Sequence, residues 1–419
     1  MKDYQIKKVL LSSLLCKLMI WYDFMLFIDL INFISNEFFP KVGVYQNLFK
    51  LFGIFALSTI AKPFGAFIFG YIGDRYGRRV SLFISILLIS IPSSFISFIP
   101  GYEKIGIFAS ISIILIRIMQ GIAFGAEQGS PIYFIEHSAD KKNLGMFYGI
   151  VGLGKSLGIS LAAITIILCK KNTDFNTWGW RLPFVLCFVL GLISAFSRYK
   201  LKETLAYQIN KSKDNLSKTP ISELIKNYKN TLILAIFICM PINLISGFMT
   251  FFRALTKERI MHIYATTFVN EITLIIGSIL IQIAAIIFGI LSDKIGREKV
   301  AISCIIVSML MCCSMLFIAH HCNSYLIISL SVMTLSVIEA GISPLSITVS
   351  ELFSTKVRFS GINLSRNISS ALFEGLTPII CTWFIIKFTG AAGLYIVLCL
   401  LIGIIAILKI KPQDKKFDW

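Results

Sequence analysis

Six residues inside long apolar stretches have the chemistry to carry a proton or hold a charged solute: Asp23, Arg117, Gln120, Glu127, Lys155 and Glu339. Charged groups are expensive in hydrocarbon and are kept there mainly for pairing or transport. A carboxyl group in such surroundings suits proton uptake and release near neutral pH. Asp23 falls about twelve residues into the first stretch, roughly 18 Å along a helix rising 1.5 Å per residue and so near the middle of a ~30 Å layer. Lys17 and Asp29 stand six residues to either side. A six-residue step turns an ideal helix by about 240°, so the three do not share a face and at least one must serve interhelical pairing. Asp23 is the expected proton or substrate site. A structural role is at least as good a reading for Lys17 and Asp29.

Gln120 and Glu127 are seven residues apart and share a helix face, with Arg117 about 60° from Gln120. This polar stripe is expected to line a cavity. Arg117 would attract an anionic substrate group or act on a nearby carboxylate, and Glu127 would exchange protons. An Arg–Glu structural pair is the alternative.

A second set of residues forms a polar turn that occurs twice. GYIGDRYGRR runs from Gly70 to Arg79, and GILSDKIGREK from Gly289 to Lys299. Gly70 and Gly289 permit close helix approach. Asp74 and Asp293 can accept hydrogen bonds from a neighbouring helix N-terminus or pair with arginine. Arg75, Arg78, Arg79 and Arg297 complete a candidate gate. The second copy carries Ser292, Lys294 and Glu298 where the first has Gly73, Arg75 and Arg79. It is expected to be the weaker of the two.

These residues need long apolar helices to position them. Of the 419 residues 56% are hydrophobic and 15% charged, with a mean hydropathy of +0.80. That excludes an ordinary soluble domain. Twelve apolar stretches are near 12–33, 48–72, 80–99, 107–133, 145–168, 183–199, 231–252, 268–291, 300–319, 325–349, 362–386 and 390–408. Each is long enough to cross a bilayer as a helix. Residues 1–200 then form one six-helix half, 201–230 a Lys-rich linker able to carry a surface helix, and 231–419 the second half with a short tail. Glu127-Gln-Gly129-Ser-Pro131, Glu136 and Gly145 in the first half answer to Glu339-Ala-Gly341-Ile-Ser-Pro344, Glu351 and Gly361 in the second. Their offsets, about 212 to 219 residues, are close to that of the turns, which marks a duplicated membrane fold.

The net charge of +18 does not indicate nucleic-acid binding. With both termini cytoplasmic, the inner loops and tails hold roughly 25 Lys and Arg and the outer loops roughly 10, the positive-inside bias. Tail lysines Lys411, Lys415 and Lys416 add to it and can touch anionic lipid. The ten cysteines include no CxxC pair, and no metal-ligand spacing stands out. No nucleophile–base constellation and no phosphate-binding glycine loop is present, so neither an enzyme nor ATP-driven transport is expected.

The doubled turn, with Arg117-Ile-Met-Gln120-Gly121, resembles the major facilitator superfamily. Trp21-Tyr-Asp23-Phe24, Gln120 to Glu127, Trp178-Gly-Trp180-Arg181-Leu-Pro183 and Leu201-Lys-Glu203-Thr204 are similar to its metabolite–proton symporters, the group of proline/betaine and α-ketoglutarate transporters. The resemblance implies an all-α protein of twelve transmembrane helices in two pseudo-symmetric halves. It also implies alternating access, the turns closing when the cavity faces outward. A monomer in a bacterial cytoplasmic membrane, with no cofactor beyond the coupling proton, would take up a small polar metabolite such as proline or glycine betaine. The chain departs from the pattern at Cys16, Lys17, Ile20 and Ala126, and Lys155 is unusual. Arg117, Lys155 and Lys17 motivate a dicarboxylate as the alternative substrate. A receptor built on a transporter scaffold, binding without flux, is the alternative of another class.

Overall fold

The computed structural model describes residues 2–40, 44–137, 143–172, 174–175, 177–213, 216–261, 267–321, 324–387 and 391–410. The side chain of Glu271 and the tail lysines Lys411, Lys415 and Lys416 lie outside the described residues. Apolar segments of this length become helices because hydrocarbon offers the backbone no partner but itself. Eleven described helices are long and apolar enough to cross a membrane. Val44–Arg75, a 32-residue helix, fills the second position and completes twelve.

The first half contains α1 (Lys2–Asp29), α2 (Val44–Arg75), α3 (Arg78–Phe95), α4 (Ile107–Glu127), α5 (Leu144–Asn172) and α6 (Leu182–Tyr199). The second contains α7 (Lys229–Met261), α8 (Thr267–Ile295), α9 (Arg297–His321), α10 (Tyr325–Ala340), α11 (Arg358–Ser369) and α12 (Ala391–Leu408). Between the halves lie two short helices, Leu205–Ser212 and Pro220–Asn227. The spans are less regular than their hydropathy implies. Span four stops at Glu127 and restarts as Ser130–Ile135, with Pro131 in the first turn. Span ten stops at Ala340 and restarts as Leu345–Glu351 after Pro344. Proline lacks the N–H that would continue a helix but fits a first turn. In span eleven, α11 passes into a π-helical turn, Ser370–Glu374, before Thr377–Lys387.

Within each half the helices pack as a bundle, and two contacts dominate between the halves: α5 against α8, and α2 against α11. They are equivalent under the internal repeat. Both require backbone proximity. A Cβ at Gly289 would meet the carbonyl of Gly145, and one at Gly70 would lie 2.9 Å from the Cα of Ser360. Large apolar side chains such as Phe64, Phe98, Phe108, Leu310 and Ile379 are exposed on the outer surface. In water they would form a very large apolar patch, whereas in a bilayer they face lipid.

Candidate functional site

The two polar turns come together at one end of the bundle, and each reaches into the other half. Asp74 ends α2 and caps α11: its carboxylate accepts from the backbone N–H of Phe359 (3.2 Å) and of Ser360 (2.8 Å). Asp293 near the end of α8 caps α5, accepting from the N–H of Gly145 (2.9 Å) and of Met146 (3.0 Å). Free N–H groups and the positive end of the helix dipole make a helix start a good partner for a carboxylate.

Around Asp74 the gate is a buried charge cluster. Arg78 lies 3.3 Å from Asp74 and 3.4 Å from Glu136, and it donates to the carbonyl of Thr355 at 2.6 Å. Glu136 also pairs with Arg358 of the opposite half at 3.2 Å and accepts from the Thr204 hydroxyl at 2.7 Å. Arg358 in turn donates to the carbonyls of Ser350 and Phe353. The Glu203 carboxylate accepts from the N–H of Arg79 at 3.0 Å, and burial pushes its pKa up. Gly77 allows this approach. Its φ of +120° suits glycine, and a Cβ there would collide with Glu203. Arg75 stays at the rim, bonded to Tyr71 and to the carbonyl of Lys218. Around Asp293, Arg297 bonds Glu351 at 2.6 Å and lies 3.9 Å from Asp293. Glu136, Arg358 and Glu351 carry much of this network. The sequence signal that finds them is their position in the repeated order after each span's proline.

The stripe on α4 divides. Gln120 turns into the first half, donating to both oxygens of Asp23 at 3.2 Å and to the hydroxyl of Ser93. The Cys187 thiol of α6 donates to Asp23 at 3.9 Å. Asp23 and Gln120 are both fully buried. Arg117 is their charged neighbour, acting on Asp23 electrostatically. Its guanidinium carbon lies 3.1 Å from the centre of the Phe27 ring, and its Nε and Nη2 are buried without a hydrogen-bond partner. Arg117 also borders a narrow cleft with Phe24, Ser58, Lys62 and Phe124. Ser93 and Cys187, in the third and sixth spans, have no sequence signal that separates them from packing residues.

Glu127, the last residue before the break in span four, belongs elsewhere. It accepts from Ser130 at 3.4 Å and lies in the field of Lys17, Arg198 and Arg366. Arg366 comes from α11, so this second polar centre spans the halves. Lys155 lies over the ring of Trp21 at 4.2 Å, and Glu339 accepts from Ser246 at 2.6 Å. The six candidates thus fall in separate groups: Asp23, Arg117 and Gln120 together, Glu127 among cations of both halves, Lys155 and Glu339 apart. Among the described residues no group of three His, Cys, Asp or Glu side chains is placed to hold a metal ion.

Twelve spanning helices in two equivalent halves, clasped reciprocally at one end around buried charges, have the architecture of a membrane carrier. The chain belongs to the Major Facilitator Superfamily, whose family model matches residues 14–373. Over 96% of its length it is 28% identical to the inner membrane metabolite transport protein YhjE of Escherichia coli, covering 93% of that protein. It is 29% identical to the glycine betaine/proline/ectoine/pipecolic acid transporter OusA of Dickeya dadantii, over 91% of this chain and 78% of that one. A putative proline/betaine transporter of Staphylococcus aureus is 28% identical, with 96% and 87% covered. Among solved structures, the fold resembles the proton:xylose symporter XylE bound to 6-bromo-6-deoxy-D-glucose, with a TM-score of 0.77, 17% identity and coverage of 97% and 95%.

Proposed function

We propose that the protein is a proton-coupled carrier that moves a small polar metabolite by alternating access. The reciprocal capping carries this reading. Asp74 holds the start of α11 and Asp293 the start of α5, so both bonds join the halves at one end only. Breaking them opens that end, while the chain within each half stays intact. The charge bias of the loops makes this end cytoplasmic, with both termini on the same side, in a bacterial cytoplasmic membrane. The monomer is the working unit, because both polar centres are built from one chain. No cofactor beyond the proton is called for.

Asp23 is the proton site in this reading. It is buried among Gln120, Cys187 and Arg117. A proton on its carboxyl removes the countercharge of Arg117 and weakens the tie between α1 and α4, which couples protonation to helix packing. The relatives' named substrates, proline and glycine betaine among them, form the first panel to test. Dicarboxylates form the second, favoured by the cations around Glu127.

Uptake into proteoliposomes with and without an inward proton gradient tests the proposal. A gradient should accelerate uptake by the wild type. Asp23→Asn should abolish that acceleration while leaving solute exchange at equilibrium. Uptake that ignores the gradient would sink the coupling claim, and binding without exchange would favour a receptor.

A further inference from the structure

Lys17 and Arg366 come from opposite halves and meet at one tyrosine. The Lys17 ammonium lies 5.5 Å from the ring centre of Tyr148, on α5. Arg366 donates to the Tyr148 hydroxyl at 3.4 Å. That hydroxyl donates to Ser346, in the segment that follows α10, at 3.1 Å. Among the described residues neither Lys17 nor Arg366 has a carboxylate at ion-pair distance. Arg198 adds a third cation, fully buried, donating to the hydroxyl of Ser13 at 3.5 Å and lying over the Tyr133 ring. All three cations act on the same acid, Glu127.

We infer that this cross-half cluster binds a net-anionic organic acid, its carboxylate held by Arg366 and Lys17, and not a zwitterion of the betaine type. The inference rests on the transport reading above and names the substrate class for it. Charge is the first argument. Arg198 is buried and Lys17 and Arg366 are half-buried, and an excess of cations partly withdrawn from water is costly unless a countercharge arrives. A zwitterion brings none in net, whereas an organic acid brings one or two negative charges. Protonation of Glu127 would enlarge the cationic excess, so a proton and a multiply charged acid can enter together without building up net charge.

Geometry is the second argument. A quaternary ammonium is recognised by open aromatic faces. Here Tyr148 already carries Lys17, and Trp21, one turn beyond Lys17 on α1, carries Lys155. The donors left over suit an acceptor. An arginine fork can take both oxygens of a carboxylate, and the Tyr148 and Ser346 hydroxyls and the lysine ammonium can supply more. In the present arrangement Arg366 spends a charged donor on a neutral hydroxyl, the bond a carboxylate would most readily replace. A ligand held there would touch both halves.

The test uses the full-length purified protein and two readouts. Thermal stabilisation should be measured with α-ketoglutarate, citrate, proline and glycine betaine, and exchange should be measured in proteoliposomes. The acids are expected to stabilise and exchange, with Kd at least about ten-fold below that of either zwitterion. Lys17→Asn and Arg366→Gln should each weaken acid binding about ten-fold or more, as loss of a charged hydrogen bond does. Lys17→Arg should restore most of it, which separates a charge effect from misfolding. Preferential binding of proline or betaine, or no binding of either acid, overturns the inference. Neither result touches the proton-coupling claim, which fails only if uptake ignores the gradient.

Discussion

The two polar turns make the same hydrogen bonds in very different surroundings. Each aspartate caps the first residues of a helix in the other half, at 2.8–3.2 Å for Asp74 and 2.9–3.0 Å for Asp293. Around Asp74, however, the arginine is 1% exposed and linked through Glu136 to Arg358. Around Asp293 the arginine is 15% exposed, pairs closely with Glu351, and lies 3.9 Å from the aspartate. Duplication has preserved the cap, while the charge network has been developed in one copy. The helix-start interaction is therefore the shared device, and the buried cluster is what distinguishes the first gate.

The sharpest way to break this comparison is to neutralise each aspartate. Losing one member of a buried ion pair costs about 3–5 kcal/mol, so Asp74→Asn should lower the initial transport rate at least ten-fold. Asp293→Asn removes a longer, partly exposed pairing, worth about 1 kcal/mol or less, and should cost only a few-fold. Measured rates in the reverse order would show that burial does not set the importance of a gate.

A smaller effect is expected to run the other way. Backbones meet at both interfaces, but more closely at the second: a Cβ at Gly289 would lie nearer to the carbonyl oxygen of Gly145 than the 2.9 Å that would separate one at the equivalent Gly70 from the Cα of Ser360. Gly289→Ala should therefore destabilise more than Gly70→Ala, by about 1–3 kcal/mol in thermal unfolding, the usual range for overpacking. Equal losses would mean that the two interfaces are equally close-packed.

The smallest effect concerns Glu203, which only the first gate has. Burial raises its pKa from 4.5, so the folded protein binds more protons there than the unfolded chain. Its contribution to stability is present at low pH and is lost as pH rises from about 4.5 through the folded-state pKa. Glu203→Gln keeps an acceptor for Arg79 and should flatten that part of the stability profile. An unchanged profile would remove Glu203 from the comparison.

The fold is legible in the sequence because length and hydropathy are local properties. Twelve apolar stretches and a doubled turn require no knowledge of neighbours. The polar centres are less legible. The seven-residue spacing of Gln120 and Glu127 suggests one stripe, yet Gln120 meets Asp23 inside the first half and Glu127 faces cations from both halves. Helix spacing sets which face a residue occupies, but the packing of other helices decides what that face meets. Glu136 and Arg358 are separated by 222 residues, and no periodicity brings such a pair together. Lys17 reads equally well as structural in the sequence. Its position over Tyr148 becomes apparent only once α1 lies beside α5.

The π-helical turn at Ser370–Glu374 bears on how this chain tolerates insertion and deletion. A π turn accommodates one residue more than a regular turn. Removing a single residue there can restore ordinary winding and leave Thr377–Lys387 with its present outlook. The same deletion within α11 itself would spin everything beyond it by about 100° relative to its neighbours, carrying lipid-facing Ile379 toward protein and buried Cys381 toward lipid. Among lineages of this family, a one-residue length difference in span eleven is thus best absorbed at 370–374, so a gap placed there in an alignment would be a record of helix winding and not of a changed loop.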